Sequence, residues 1–147
     1  MKRYLFVALL LCSALAHAGE DQVMAVYRNN ATNFKDRELA FCIAEAYKES
    51  SAVREDAADT GKIHLEWTYF DLETTESGLD VNTEGSALIG KYLRRDYSYP
   101  IEGYVGTKFD LLKCIDMYHS PELDELVRKY VPHPDWIGNK PPEKRRK

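Results

Sequence analysis

Histidines, cysteines and paired carboxylates are the side chains that bind metals and move protons, and here they are scattered. His17, His64, His119 and His133 fall in four separate stretches. Cys12, Cys42 and Cys114 form no Cys-x-x-Cys and no Cys-x-x-Cys-His. Redox, haem and structural zinc chemistry therefore has no ligand set in the sequence. Gly-x-Ser-x-Gly, His-Glu-x-x-His, a phosphate-cradling glycine loop and calcium-loop spacing are missing as well. Asp71 with Glu73, and Asp124 with Glu125, offer the two carboxylates that a glycosidase uses, yet nothing marks a cleft between them. They read as solvated helix faces, and His119 reads as a cation at a helix C-terminus. The inventory points to a protein that is not an enzyme and holds no metal or cofactor.

One stretch is suited to recognition rather than to bond making. Asp96-Tyr97-Ser98-Tyr99-Pro100-Ile101-Glu102-Gly103-Tyr104-Val105-Gly106 places three tyrosines, a proline and two glycines in eleven residues. Tyrosine gives large contact area with few rotatable bonds and a polar tip. Pro100 stiffens such a segment and lowers the ordering cost of binding. Two readings fit: a loop folded back on the core through Tyr99 and Ile101, or a loop that awaits a partner.

The start of the chain is an export signal in pattern. Lys2 and Arg3 precede an apolar run from Tyr4 to Ala16, and Ala16-His17-Ala18 supplies the small residues that a signal peptidase accepts. Residues 1–18 read as a signal peptide cleaved between Ala18 and Gly19. The run is shorter than the roughly 20 apolar residues that span a bilayer. Lipidation at Cys12 is the rival reading, and Leu11 stands where that processing takes a small residue.

Export changes the arithmetic. The remaining 129 of 147 residues carry 18 Lys and Arg against 24 Asp and Glu, a net charge of −6. An acidic chain suits a basic partner and not nucleic acid, whose phosphates demand a basic surface. No later apolar stretch approaches spanning length, so no membrane association is expected after cleavage. Cys42 and Cys114 remain as an even pair in a compartment that permits disulfides, which favours one bridge over two buried free thiols.

The elements that position these residues are mostly helical by apolar spacing. Leu39, Cys42, Ile43, Ala46 and Tyr47 form one face of a helix opening near Asn33. Ser50 or Ser51 is placed to cap a second helix, which Gly61 ends. Leu79 to Arg95 reads as helix through Leu88, Ile89, Tyr92 and Leu93, weakened by Gly85 and Gly90. Thr107 has the position of an N-cap leading into Phe109 to Tyr118. Ser120, Pro121 and Glu122 open the clearest helix, striped by Leu123, Leu126, Val127, Tyr130 and Val131 and stopped by Pro132. Residues 63–74 fit strand alternation and helical spacing equally. The expectation is an all-α fold, a single helical domain of about five to six helices with one disulfide. Its divisions are a signal peptide at 1–18, a leader at 19–32, the helical domain at 33–132, and a flexible Pro-rich and basic tail at 133–147.

Phe41-Cys42-Ile43-Ala44-Glu45-Ala46-Tyr47-Lys48 resembles the first-helix motif of the type VI secretion amidase immunity proteins, in the group guarding the fourth class of amidase effectors. The resemblance continues through Glu66-Trp67, Lys91-Tyr92-Leu93 and Asp96-Tyr97. It is strongest in Lys113-Cys114-Ile115-Asp116-Met117-Tyr118-His119-Ser120 and the run from Glu122 to Val131. It implies a periplasmic, helical, disulfide-bonded protein that forms a homodimer and a heterotetramer with its effector. The implied partner is a secreted peptidoglycan amidase, a papain-like cysteine peptidase, whose cleft is plugged by a protruding loop. That loop maps to Asp96–Gly106, with Tyr97, Ser98, Tyr99, Pro100, Ile101, Glu102, Gly103 and Tyr104 as its contacts. A helical contact from the other subunit maps to residues 63–73, with Glu66, Trp67 and Tyr69 as its contacts. An inhibitor of another wall-acting hydrolase such as a lysozyme, or a non-catalytic periplasmic binding module, shares export and acidity.

Overall fold

A computed structural model describes residues 23–71, 80–97 and 103–138. They form five α-helices: α1 (Asn30–Ala46), α2 (Ser51–Ile63), α3 (Val81–Leu93), α4 (Asp110–Tyr118) and α5 (Pro121–Tyr130). Short 3-10 turns lie at Met24–Tyr27 and His64–Glu66. Isolated backbone bridges pair Asn29 with Ile137 and Thr68 with Gly138. The fold is all-α, as the apolar spacing predicts.

α1 is the hub and touches all four other helices. It begins earlier than its apolar stripe suggests, because the Asn29 side chain accepts a hydrogen bond from the Thr32 amide at 2.8 Å. With neighbours on several sides, α1 buries Phe34, Ala40 and Cys42 together with the polar Asn30, Asn33, Arg37 and Glu38. Asp80 caps α3 by accepting from the Thr83 amide at 2.7 Å. Ser120 caps α5 through the Leu123 amide at 3.2 Å, with Pro121 in the first turn. The α5 stripe of Leu123, Leu126, Val127 and Tyr130 then closes the core over Phe34, Val81, Tyr92 and Met117.

Cys42 of α1 and Cys114 of α4 are joined, with Cα atoms 5.7 Å apart and both residues fully buried. The bridge spans 72 positions, which corresponds to about 4 kcal/mol in the chain-entropy account. Beside it, Arg37 pairs with Glu38 in the interior, and the guanidinium also donates to Asn82 Oδ1. The Arg37 guanidinium lies 4.7 Å from the Phe41 ring centre and 5.3 Å from that of Phe70. Burial pushes the Glu38 carboxyl above its ordinary range, and Arg37 opposes the shift. Gly85 has no side chain because a Cβ there would overlap the Glu38 carboxylate.

Four local expectations are corrected. Gly61 does not end α2; it sits inside the helix, buried, where a Cβ would come within 2.6 Å of the Phe41 ring. Close approach of α1 and α2, not helix termination, requires it. Thr107 does not cap α4, whose entry is Phe109 in the left-handed region at φ 53° with no side-chain cap. Residues 63–69 are neither strand nor continuous helix: α2 stops at Ile63, a 3-10 turn covers His64–Glu66, and Thr68 bridges to Gly138. The chain after His133 does not leave the domain at once. The Asn30 amide donates to the Trp136 carbonyl at 2.8 Å and the Ala31 amide to the Pro134 carbonyl at 3.0 Å. Pro134 and Trp136 thus satisfy the first two open N-terminal donors of α1, and Asn29 takes the next two. Residues 1–22, including Ala18 and Gly19, and residues 139–147 lie outside the described part.

Candidate functional site

The recognition segment leaves α3 and returns into α4, and its two ends are held differently. On the leaving side, the Arg95 guanidinium stacks 3.5 Å from the Tyr92 ring centre and lies 3.9 Å from Glu122. The Tyr97 hydroxyl then donates to Asp116 Oδ2 at 2.6 Å, across 19 positions to the side of α4. That hydrogen bond, first among its causes, raises the Tyr97 pKa above the ordinary phenol value. Lys113 anchors the same corner by donating to the Leu93 carbonyl at 3.1 Å and to Asp110 at 2.9 Å. Tyr97 is therefore committed to α4 as a stem.

On the returning side, Gly103 at φ 91° and Gly106 at φ 83° turn the backbone through conformations that a side chain resists. The Thr107 amide closes the turn onto the Tyr104 carbonyl at 3.1 Å. Tyr104 is 52% exposed, with its ring 5.9 Å from that of Phe109, and Val105 is 90% exposed. Ser98, Tyr99, Pro100, Ile101 and Glu102 lie outside the described residues.

The second predicted group lies elsewhere, where the start of α1 meets residues 133–138. Glu66 is exposed. Trp67 is half-buried, its ring edge-on to His64 at 5.7 Å, and its carbonyl accepts from Asn33 at 3.4 Å. Tyr69 donates its amide to Asn30 Oδ1 at 3.2 Å and lies 5.7 Å from the His133 ring and 6.0 Å from that of Trp136. His133 and Trp136 stack at 3.6 Å. These aromatics were missed from the sequence because their partner Tyr69 is more than sixty positions away. Tyr97 and Tyr104 thus lie beside α4 and its entry residue Phe109, whereas Glu66, Trp67 and Tyr69 follow α2 toward the start of α1 and residues 133–138.

A cavity of about 430 Å³ between α1 and α3 has Arg37 and Glu38 in its lining; the two are paired, Arg37 also donates to Asn82, and its buried Nε has no hydrogen-bond partner. Among the described residues, no group of three or more His, Cys, Asp or Glu is placed to hold a metal ion. None of their helices is long and apolar enough to cross a membrane.

Residues 32–127, from the first turn of α1 into α5, match the family model Tai4, the type VI secretion system (T6SS) amidase immunity protein. The chain belongs to that family. It is a T6SS immunity protein directed against an amidase effector. It is similar to a solved chain from work on new type VI-secreted toxins and self-resistance proteins in Serratia marcescens. The two share 27% identity at a TM-score of 0.67, over 83% of this chain and 94% of that one. It is also similar to a chain of the effector–immunity system Tae4/Tai4 from Salmonella typhimurium, in its selenomethionine variant. There the identity is 26% and the TM-score 0.58, over 74% and 95% of the two chains. None of the curated proteins compared with this chain matches it. The matched region contains both bridge cysteines and both stems of the recognition segment, so the immunity protein carries its distinctive loop inside the family fold.

Proposed function

We propose that this immunity protein acts in the periplasm and blocks a papain-like peptidoglycan amidase by placing residues 96–106 in its active-site cleft. It reaches that compartment by cleavage between Ala18 and Gly19. It performs no chemistry itself: the loop excludes the peptide stem from the cleft. The observation that carries this reading is the anchoring of the loop's stems on α4. The Tyr97–Asp116 hydrogen bond and the Tyr104–Phe109 ring contact hold both ends on a helix that the disulfide ties to α1. A loop whose ends are already fixed loses less freedom on binding than a free one.

Glu66, Trp67 and Tyr69 supply the second contact in this reading, one made from a second subunit. In a homodimer they would meet the hydrolase bound to the partner's loop, giving a heterotetramer. The net charge of −6 in the mature chain attracts a basic, wall-binding hydrolase and raises the association rate. Association that stays equally fast from low to high salt would count against that steering.

Calorimetric titration of the mature chain into the amidase, with turnover followed in parallel, tests the reading. Tight binding with loss of turnover is expected. Replacing Tyr99→Ala and Ile101→Ala together should weaken inhibition by about 30-fold or more, the usual cost of a central anchor. Unchanged inhibition by that variant, with helicity intact, removes the loop from the mechanism.

A further inference from the structure

α4 is packed with its polar and apolar sides in an unexpected sense. Lys113 is 6% exposed, and Cys114 and Met117 are fully buried. Leu111, Leu112 and Ile115 face outward at 46%, 45% and 40% exposure. The disulfide and the Lys113 hydrogen bond to the Leu93 carbonyl fix this rotation of the helix. Among the described residues no helix covers this second apolar stripe, which meets only the edge of Tyr47.

The stripe continues the recognition segment. Tyr47, Phe109, Leu112 and Ile115 line one shallow groove of about 500 Å³, and the Phe109 ring touches Tyr104 beside the exposed Val105. A stable protein–protein interface occupies about 800 Å² and roughly 20–30 residues on each side. Residues 96–106 number eleven, so a loop alone supplies about half of such a surface or less. Surface adjoining the loop has to be covered as well, and the α4 stripe is the apolar surface that adjoins its returning stem.

We infer that the outward stripe of α4, centred on Leu112 and Ile115, is a docking shelf for the amidase itself, taking an apolar ridge at the rim of its cleft. This rests on the cleft-blocking reading above, which it extends from a plug to a plug with a shelf. The loop excludes substrate, and the shelf sets the depth and angle at which the loop enters.

The test uses the mature chain and two variants, Leu112→Glu/Ile115→Glu and Leu111→Ala/Leu112→Ala/Ile115→Ala. The second keeps good helix formers and serves if the first lowers helicity. Inhibition of the amidase, circular dichroism and sedimentation are measured on all three. The glutamate pair should inhibit about 30-fold less well or worse, and the alanine variant should move in the same direction. Inhibition equal to wild type, with helicity intact, overturns the shelf and leaves the plug standing. Loss of self-association without loss of inhibition also overturns it, and assigns the stripe to a second copy of the chain. Failure of the wild-type chain to inhibit overturns the cleft-blocking function and the shelf together.

Discussion

Replacing both Cys42 and Cys114 with Ala tests how much of the fold depends on one covalent link. The bridge joins residues 72 positions apart, so its loss frees a long loop in the unfolded ensemble. In the chain-entropy model this lowers stability by roughly 4 kcal/mol. Both cysteines are fully buried, so removing two sulfur atoms from the packed contact between α1 and α4 adds to the loss in the same direction. Against a typical total of about 5–15 kcal/mol, that is a large fraction. Urea unfolding followed by circular dichroism is the assay, with the oxidised chain beside the variant. The midpoint should fall, and the slope should rise because the uncrosslinked unfolded chain exposes more surface. Reductant should shift the wild-type midpoint toward that of the variant and leave the variant where it was. A difference below about 1 kcal/mol would refute the argument that the bridge acts by restraining the unfolded chain.

Gly61→Ala should destabilise by about 1–3 kcal/mol in thermal unfolding, through overlap with the Phe41 ring. At an open helix position the same change stabilises by up to about 1 kcal/mol, so the sign alone decides. Glu38→Gln leaves the Arg37 cation buried without its counter-charge and should cost about 3–5 kcal/mol. The pair Arg37→Met/Glu38→Leu should cost less than that single change, and a larger loss would contradict the reading. His64 is buried with Nδ1 unpartnered, and burial lowers its pKa below the ordinary imidazole value. Asp36 opposes that shift, and Arg28 and Arg37 reinforce it. The unfolded state therefore takes up the proton first. The stability His64 contributes is present above the ordinary value and lost as pH falls through the folded value. Urea midpoints at about pH 7.5 and about pH 5 should differ more for wild type than for His64→Gln; equal differences would exclude His64 as the cause.

What the sequence makes legible is local. α5 can be read residue by residue, since Ser120, Pro121, the acidic first turn and the four-residue stripe all act within one helix. The family motif around Cys42 and Cys114 is legible for the same reason, being contiguous on each side. The rest depends on partners far along the chain. Nothing near Gly61 says that Phe41 crosses it, so the glycine reads as a helix stop. Nothing near Leu112 says that Lys113 is the inward residue, because the disulfide and the Leu93 carbonyl set the rotation of α4. Tyr97 reads as a free recognition tyrosine until Asp116 is placed beside it. His133 and Trp136 read as a tail until the start of α1 is seen to need their backbone.

That last dependence bears on how the chain matures. Polypeptides emerge N-terminus first, yet the first amides of α1 find acceptors only at Pro134 and Trp136, and the Asn30 side chain at the His133 carbonyl. The hub helix thus stays incompletely satisfied until Trp136 has appeared. Cys114 emerges before that final segment. Oxidation can accordingly join Cys42 to Cys114 while the top of α1 is still open, and the latch at residues 133–138 comes last. Chains cut short of His133 would carry the bridge and the recognition loop but lack the closing turn, and would be the form that quality-control proteases recognise first.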